Sequence, residues 1–182
     1  KTVTISRAQG SVTFPANFMM VAAMNPCPCG NHGDPVKTCT CTASTVSRYQ
    51  KRISGPLLDR IDIFVEVPRV DYEKLTSPDA VEGSTEVRRR VETARERQRS
   101  RFVGTAIQSN SDMGPSEVWN HCQLEEAAQR LAKTAMEQLH FSARAYHRTL
   151  KLPRTIADLA GSETVNVAHL AEAIQYRQRE LA

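Results

Sequence analysis

Four of the five cysteines fall within fifteen residues: Cys27-Pro28-Cys29, a gap of nine, then Cys39-Thr40-Cys41. Four thiolates can hold Zn²⁺ in a tetrahedral structural site. The spacing departs from the usual Cys-x-x-Cys pairs, since one residue separates each pair and the first spacer is proline. His32 lies in the same stretch and can replace one ligand. Reduced thiols and a disulfide are the competing readings. No secretory signal opens the chain, because Lys1-Thr2-Val3-Thr4-Ile5 alternates polar and apolar residues without a hydrophobic stretch. A disulfide framework is therefore weaker than a metal site or reduced thiols.

A second set of residues lies at the ends of apolar runs. Asn25 follows Phe18-Met19-Met20-Val21-Ala22-Ala23. In open α/β sheets ligands gather at the carboxyl ends of strands, where an Asn can orient a water or a phosphate oxygen. Asn-Pro is also an ordinary turn former. Arg60 sits between Asp59 and Asp62, just ahead of Ile63-Phe64-Val65-Glu66-Val67. A local ion pair is the plain reading there. Arg144, Arg148 and Arg154 are spaced along one helical stretch, whose plain reading is a solvated face.

These residues need elements to position them. Val3 and Ile5, then Val12 and Phe14, alternate with polar residues on either side of Ser6–Ser11, which predicts a β-hairpin with a tip longer than two residues. Arg7 and Gln9 fall in that tip. Residues 18–23 and 63–67 are short apolar runs bounded by turn residues, and so read as strands buried on both faces. Ser44–Lys51 reads as a short helix. Residues 69–84 form a polar linker, and a helix is expected over 84–102 with a thin apolar seam of Val87, Val91, Ala94 and Phe102. Such a seam suits a helix that bridges two domains. From Ser116 the pattern is helical. One helix carries Leu124, Ala128, Leu131, Ala135 and Leu139, and the next carries Ala143, Tyr146, Leu150 and Ala157. The second of these ends at Gly161. A last helix, capped by Asn166, carries Leu170 and Ile174. Pro153 falls inside the second helix and predicts a bend. The fold class expected is a partial α/β core (hairpin plus two buried strands) over 1–68, a linker with a bridging helix over 69–115, and an all-α bundle over 116–182, helical overall.

Composition narrows the function. The net charge is +4. The segment Glu86–Arg101 alone holds seven arginines against three glutamates. The rest is close to neutral, so a generally basic nucleic-acid coat is disfavoured. No apolar run approaches the ~18 residues that cross a bilayer. A cytoplasmic location without membrane contact is expected. The chain does not begin with Met and is expected to be part of a longer one.

Three blocks, taken together, carry a resemblance. They are Val21-Ala22-Ala23-Met24-Asn25-Pro26-Cys27-Pro28-Cys29-Gly30, then Arg52-Ile53-Ser54-Gly55-Pro56-Leu57-Leu58-Asp59-Arg60-Ile61-Asp62, then Ser142–Arg148 with Arg154–Leu159. In this order they resemble the magnesium-chelatase-like AAA+ ATPases, and among these the ComM (YifB) group of bacterial competence-related proteins. The resemblance runs over essentially the whole chain. It implies an AAA+ core followed by a helical lid, assembled as a hexamer with ATP and Mg²⁺ between subunits. It implies that Asn25 is the sensor-1 residue that orients the attacking water. Arg60 becomes the arginine finger that reaches the γ-phosphate of the neighbouring subunit, and Arg144 the sensor-2 residue of the lid. Guanidinium groups suit these roles because their planar fork matches phosphate oxygens and stabilises charge spread over them. The resemblance also implies a DNA motor, for which Arg7 and Gln9 at the hairpin tip are candidate contacts. Two alternatives stand beside it: a chelatase-type ATPase that remodels a protein partner for metal insertion, and a lid and interaction module.

The chain lacks Gly-x-x-x-x-Gly-Lys-Ser/Thr, so it carries no P-loop to cradle phosphates. In the family that element and the acidic Walker-B strand lie upstream of the matched region. The chain by itself is therefore expected neither to bind ATP at micromolar affinity nor to hydrolyse it. Isothermal titration checks this, and tight stoichiometric binding would contradict it.

Overall fold

The computed structural model describes residues 2–70, 82–138 and 143–177. The chain divides into two compact units, Lys1–Lys51 and Arg52–Ala182.

In the first unit, β1 (Thr2–Arg7) and β2 (Gly10–Pro15) form an antiparallel hairpin. Val3 pairs with Phe14 and Ile5 with Val12, so one face is apolar. The other face is a ladder of hydroxyls, with Thr4 and Thr13 at 2.9 Å and Ser6 and Ser11 at 2.7 Å. These cross-strand pairs are what stabilise a two-stranded ribbon. The tip is shorter than the sequence suggests: Arg7 pairs directly with Gly10, leaving only Ala8-Gln9 as the turn. Gly10 takes φ 141°, which a side chain would resist. Helix α1 (Ala43–Gln50) starts at Thr42, whose side chain accepts the Thr45 N–H.

Residues 18–23 and 63–67 are not strands, contrary to the sequence expectation. Phe18 is 77% exposed, Met19 90% and Val21 88%. A strand buried on both faces needs hydrogen-bonded neighbours for its backbone and helices over its faces. Among the described residues neither run has a strand partner.

The second unit is helical. It comprises α2 (Gly55–Leu58), α3 (Ser84–Arg101), a 3₁₀ turn (Asn110–Asp112), α4 (Pro115–His121), α5 (Glu126–Gln138), α6 (Ala143–Ala160) and α7 (Val167–Gln175). Glu86 and Glu117 reach back to the N–H groups of Gly83 and Gly114, at 3.0 and 2.7 Å, and so cap α3 and α4. Helix α6 closes in a Schellman motif: Gly161, φ 76°, donates to Asp158 and Ser162 donates to Ala157. Asn166 accepts the His169 N–H and starts α7.

Among the described residues two clusters make the core. One joins Phe102, Met113, Val118, Cys122 and Leu150; the other joins Ala128, Ala132 and Leu170. Leu124 packs on both. The seam on α3 divides. Ala94, Gln98 and the C-terminal Phe102 are buried, whereas Val87 and Val91 stay exposed. Leu139 and the side chain of Tyr146 lie outside the described residues. Helix α6 runs on through Pro153, which is fully buried.

A polar centre is buried among these helices. Asp158 accepts from Arg101, from Arg154 (2.9 Å) and from Asn110 Nδ2 (2.8 Å). Arg154 continues to the carbonyls of Ser162 (2.6 Å) and Glu163 (2.5 Å), just past the end of α6. Burial alone raises the Asp158 pKa. The hydrogen bonds from Arg101 and Asn110 and the Arg154 charge outweigh it and hold the carboxyl below its usual range.

Asp158→Asn should destabilise the second unit by about 3–5 kcal/mol, because two guanidinium groups lose their counter-charge. The wild type has an additional signature. The folded carboxyl binds its proton less readily than the unfolded one, so its contribution is complete above the ordinary carboxylate range. That contribution is lost as pH falls through the depressed folded value. Denaturant midpoints against pH should show this acid limb in the wild type and a weaker one in the variant.

Candidate functional site

The first unit holds Arg7, Gln9, Asn25 and the cysteines. Arg7 borders the hairpin turn, Gln9 lies in it, and both are exposed. Asn25 is also exposed and lies beside the backbone of Gly30, where an added Cβ would meet Asn25 Nδ2 at 3.9 Å. Gly30 takes φ 81° and closes the turn that begins at Cys27, donating to the Cys27 carbonyl at 3.0 Å. The Asp34 side chain accepts the N–H groups of Val36 (2.7 Å) and Lys37 (2.9 Å) and turns the chain back toward Cys39. Gln50 at the end of α1 donates to the Pro26 carbonyl at 3.3 Å.

These turns bring all four clustered sulfurs within 4.8 Å of one another. Cys27 Sγ is 3.3 Å from Cys29 Sγ and 3.8 Å from Cys39 Sγ, and Cys29 to Cys39 is 3.6 Å. None of them is in a disulfide. His32 is exposed and does not join the group. Hydrogen bonds from the Asn31 and Thr40 N–H groups and from Cys27 bring the Cys29 thiol down to about 5. The Cys41 N–H pulls Cys39 down, but burial and the neighbouring Cys29 and Cys27 sulfurs push it up to about 11. Cys41 is also raised: the Cys29 N–H lowers it, and burial with the same sulfurs outweighs that. Four sulfurs this close cannot all ionise unless a cation lies among them.

The second unit holds the arginines. Pro56 in the first turn of α2 suits a helix start, and two further turn bonds, Arg60 to Leu57 (2.9 Å) and Ile61 to Leu58 (3.0 Å), carry the chain past it. Arg60 is exposed at this corner, with one guanidinium nitrogen donating to the Pro56 carbonyl. Among the described residues it pairs with neither flanking aspartate. Asp62 is taken instead by Arg148, at 2.6 Å. The same Arg148 guanidinium donates to the backbone carbonyls of Asp59 and Arg60. A second arginine, Arg177, donates to Thr149 Oγ1 (3.1 Å) and to the Ile61 carbonyl (3.5 Å). The Phe64 N–H meets the Tyr176 carbonyl at 2.8 Å. Segment 59–64 is thus stitched to α6 and to the end of α7.

Sequence reasoning read Arg148 as part of a solvated face, whereas it binds segment 59–62, and it did not single out Arg177. Arg148 had a usable signal: a long donor four residues after Arg144, with unpaired aspartates elsewhere in the chain. Arg177 had none. The backbone of Arg144 is in the first turn of α6, one turn before Arg148, and its side chain lies outside the described residues. Arg154 is an internal brace of the bundle.

Two family models match along the chain: Magnesium chelatase, subunit ChlI, over residues 1–75, and Magnesium chelatase, subunit ChlI C-terminal, over residues 81–177. The chain belongs to the magnesium chelatase ChlI family. Within it, Competence protein ComM of Haemophilus influenzae is 40% identical over 177 residues, 96% of this chain. The Escherichia coli protein YifB is 37% identical over 177 residues, again 96% of this chain. A Mycobacterium tuberculosis relative is 34% identical over 97% of this chain. The chain spans about a third of the length of these relatives, 33% of the first and 34% of the other two. Among the described residues no helix is long and apolar enough to cross a membrane.

Arg148 acts as a clamp on the Arg60 corner, so Arg148→Met should release that corner without unfolding the bundle. Amide hydrogen exchange over residues 59–64 should rise at least about tenfold, matching the roughly 1.5–3 kcal/mol of a hydrogen bond to a charged donor. Exchange in α5 should stay unchanged. Equal acceleration throughout the second unit would mean that Arg148 is a general stabiliser.

Proposed function

We propose that this chain is the sensor, finger and lid part of a magnesium-chelatase-like AAA+ ATPase of the ComM type, an ATP-driven hexameric motor acting on DNA. The carrying observation is the state of Arg60. It stands exposed at a helix corner, the nearby Asp62 carboxylate is taken by Arg148, and the same Arg148 holds the Asp59 and Arg60 backbone carbonyls. A guanidinium spent on an internal ion pair could not serve a second subunit; this one is available. The family and the 40% identity to a competence protein support the same reading. So do residues 18–23, whose exposed apolar side chains suit a core strand flanked by strands from a longer protein.

In this reading ATP with Mg²⁺ supplies the phosphoryl group. This chain fits the phosphate-facing part of the site and does not carry the phosphate cradle. Arg60 places its fork on the γ-phosphate oxygens bound by a neighbouring subunit, where charge develops in the transition state. Arg148 positions that fork through the Asp59 and Arg60 carbonyls. Asn25 orients the attacking water, and Arg144 serves as sensor 2. Arg7 and Gln9 meet the nucleic-acid backbone. The family description favours a second reading, a chelatase-type ATPase that remodels a protein for metal insertion. ATP-dependent branch migration by the full-length protein, against stimulation of a porphyrin-metallating partner, separates the two.

In the full-length protein Arg60→Ala should leave nucleotide binding within about threefold and lower turnover by about 10³-fold or more, as for arginine fingers elsewhere. Mixing this variant with one lacking the P-loop lysine should restore part of the activity, because mixed rings recreate sites with an intact cradle and an intact finger. No recovery at any ratio, with mixed rings verified, would argue against a shared intersubunit site.

A further inference from the structure

The first unit has almost no hydrophobic core. Among its described residues only Cys27 and Val46 are buried. Its hairpin is exposed on both faces, and residues 24–41 contain no helix or strand. A unit of this size ordinarily needs a staple such as a disulfide or a metal. Yet the loop has a defined course. Two glycines sit in the left-handed region, Gly30 and Gly33, both at φ 81°. The turn at Cys27 and the Asp34 turn aim two chain segments at one point, and that point is occupied by sulfur.

The distances decide what kind of staple this is. A disulfide needs sulfurs about 2.05 Å apart and joins them in pairs. Here Cys27 is nearly equidistant from Cys29 and Cys39, at 3.3 and 3.8 Å, and Cys29 lies 3.6 Å from Cys39. Four ligands around an ion with bonds of about 2.3 Å have edges of about 3.8 Å in a tetrahedron. Those three edges lie close to that figure, and Cys41 Sγ lies within 4.8 Å of the other three. Sulfur-only ligation excludes Mg²⁺ and Ca²⁺, which take oxygen, and favours Zn²⁺. The one-residue spacing is accommodated because Pro28 lies in a turn closed by Gly30, so Cys27 and Cys29 face the same centre.

We propose that Cys27, Cys29, Cys39 and Cys41 bind one structural Zn²⁺ ion. Deprotonated sulfurs supply all four ligands, no coordination position is left for substrate, and whatever thiol protons remain leave to solvent on loading. The ion pins residues 27–41 between the segment that ends at Asn25 and the start of α1. Its binding free energy acts as folding free energy for this loop. The assignment rests on the cluster alone and stands whether or not the ATPase reading holds.

The test uses the full-length protein purified under reducing conditions without a metal-affinity step. Elemental mass spectrometry should find about one equivalent of zinc per chain. Replacement with Co²⁺ should give thiolate-to-cobalt charge-transfer absorption and tetrahedral visible bands. The four cysteines should resist alkylation until a strong chelator is added, after which hydrogen exchange over residues 27–41 rises while α6 is unmoved. Cys122→Ser, in the second unit, should keep the zinc, and Cys39→Ser should lose most of it. Should Cys39→Ser fail to fold, the cobalt spectrum and the alkylation pattern of the wild type still decide. Below roughly a tenth of an equivalent of zinc, with no charge-transfer band on cobalt titration and alkylation indifferent to added Zn²⁺, the site is a set of reduced thiols and the proposal fails. Iron in place of zinc, with visible iron–sulfur absorption, also overturns it.

Discussion

One carboxylate organises the helical unit. Asp158 is buried, 1% exposed at its side chain, and accepts from two arginines and an asparagine that come from different elements. A charge in that position is costly unless every lone pair is used, so each partner is constrained by the others. Arg101 fixes the end of α3 against α6. Asn110 fixes the 3₁₀ turn, and its own N–H is taken by Gln98 at 3.2 Å. Arg154 stays in register with Asp158 along α6 and reaches forward to cap the carbonyls that follow the helix. The apolar clusters around Phe102 and Leu170 supply most of the burial. The ion network sets how the helices line up, because directional bonds tolerate less sliding than apolar contacts do.

The two units illustrate different ways to hold a chain. The second has a core, caps at most helix ends and a satisfied buried charge. The first has cross-strand hydroxyl pairs, a capped short helix and a knot of sulfur. Its apolar side chains at 18–23 face outward, so local turns and the cysteine cluster carry the definition of its loop. Helix α1 contributes one buried residue, Val46, and a single side-chain bond back to Pro26. Cohesion of this kind depends on a few specific contacts, which makes it sensitive to single changes at Cys27 or Gly30.

Arginine plays three separate parts in the second unit. Arg101 and Arg154 are inside the bundle and neutralise a buried anion. Arg148 and Arg177 lie partly buried and bind backbone carbonyls of segment 59–64. Arg60 lies outside. The planar fork explains the division. It can satisfy two or three acceptors at once in the interior, grip consecutive carbonyls of a turn, or present a bidentate face to an external oxyanion. Because Arg148 holds the corner from α6, displacement of that helix would be felt at Arg60. This is a direct physical link between the proposed lid and the proposed finger.

Much of this was legible in the residues. The hairpin followed from alternation, the helices from three-to-four-residue apolar spacing, and the stop at Gly161 and the start at Asn166 from turn and cap chemistry. The cysteine group was visible as a group because metal and redox chemistry depend on residue type before geometry. The family was legible from three motif blocks. What the residues could not supply was anything that depends on a distant partner. The apolar runs at 18–23 and 63–67 have strand composition, but a strand exists only when another strand offers its backbone, and none does among the described residues. The aspartates beside Arg60 looked like its partners because they are near in sequence, yet Arg148 reaches Asp62 from 86 residues away. Pro153 was expected inside a helix, and the helix runs on through it with the proline fully buried. Local periodicity, turn chemistry and residue type belong to the sequence. Which charge pairs with which, and which apolar run becomes core, is decided only when segments far apart in the chain compete for the same contacts in space.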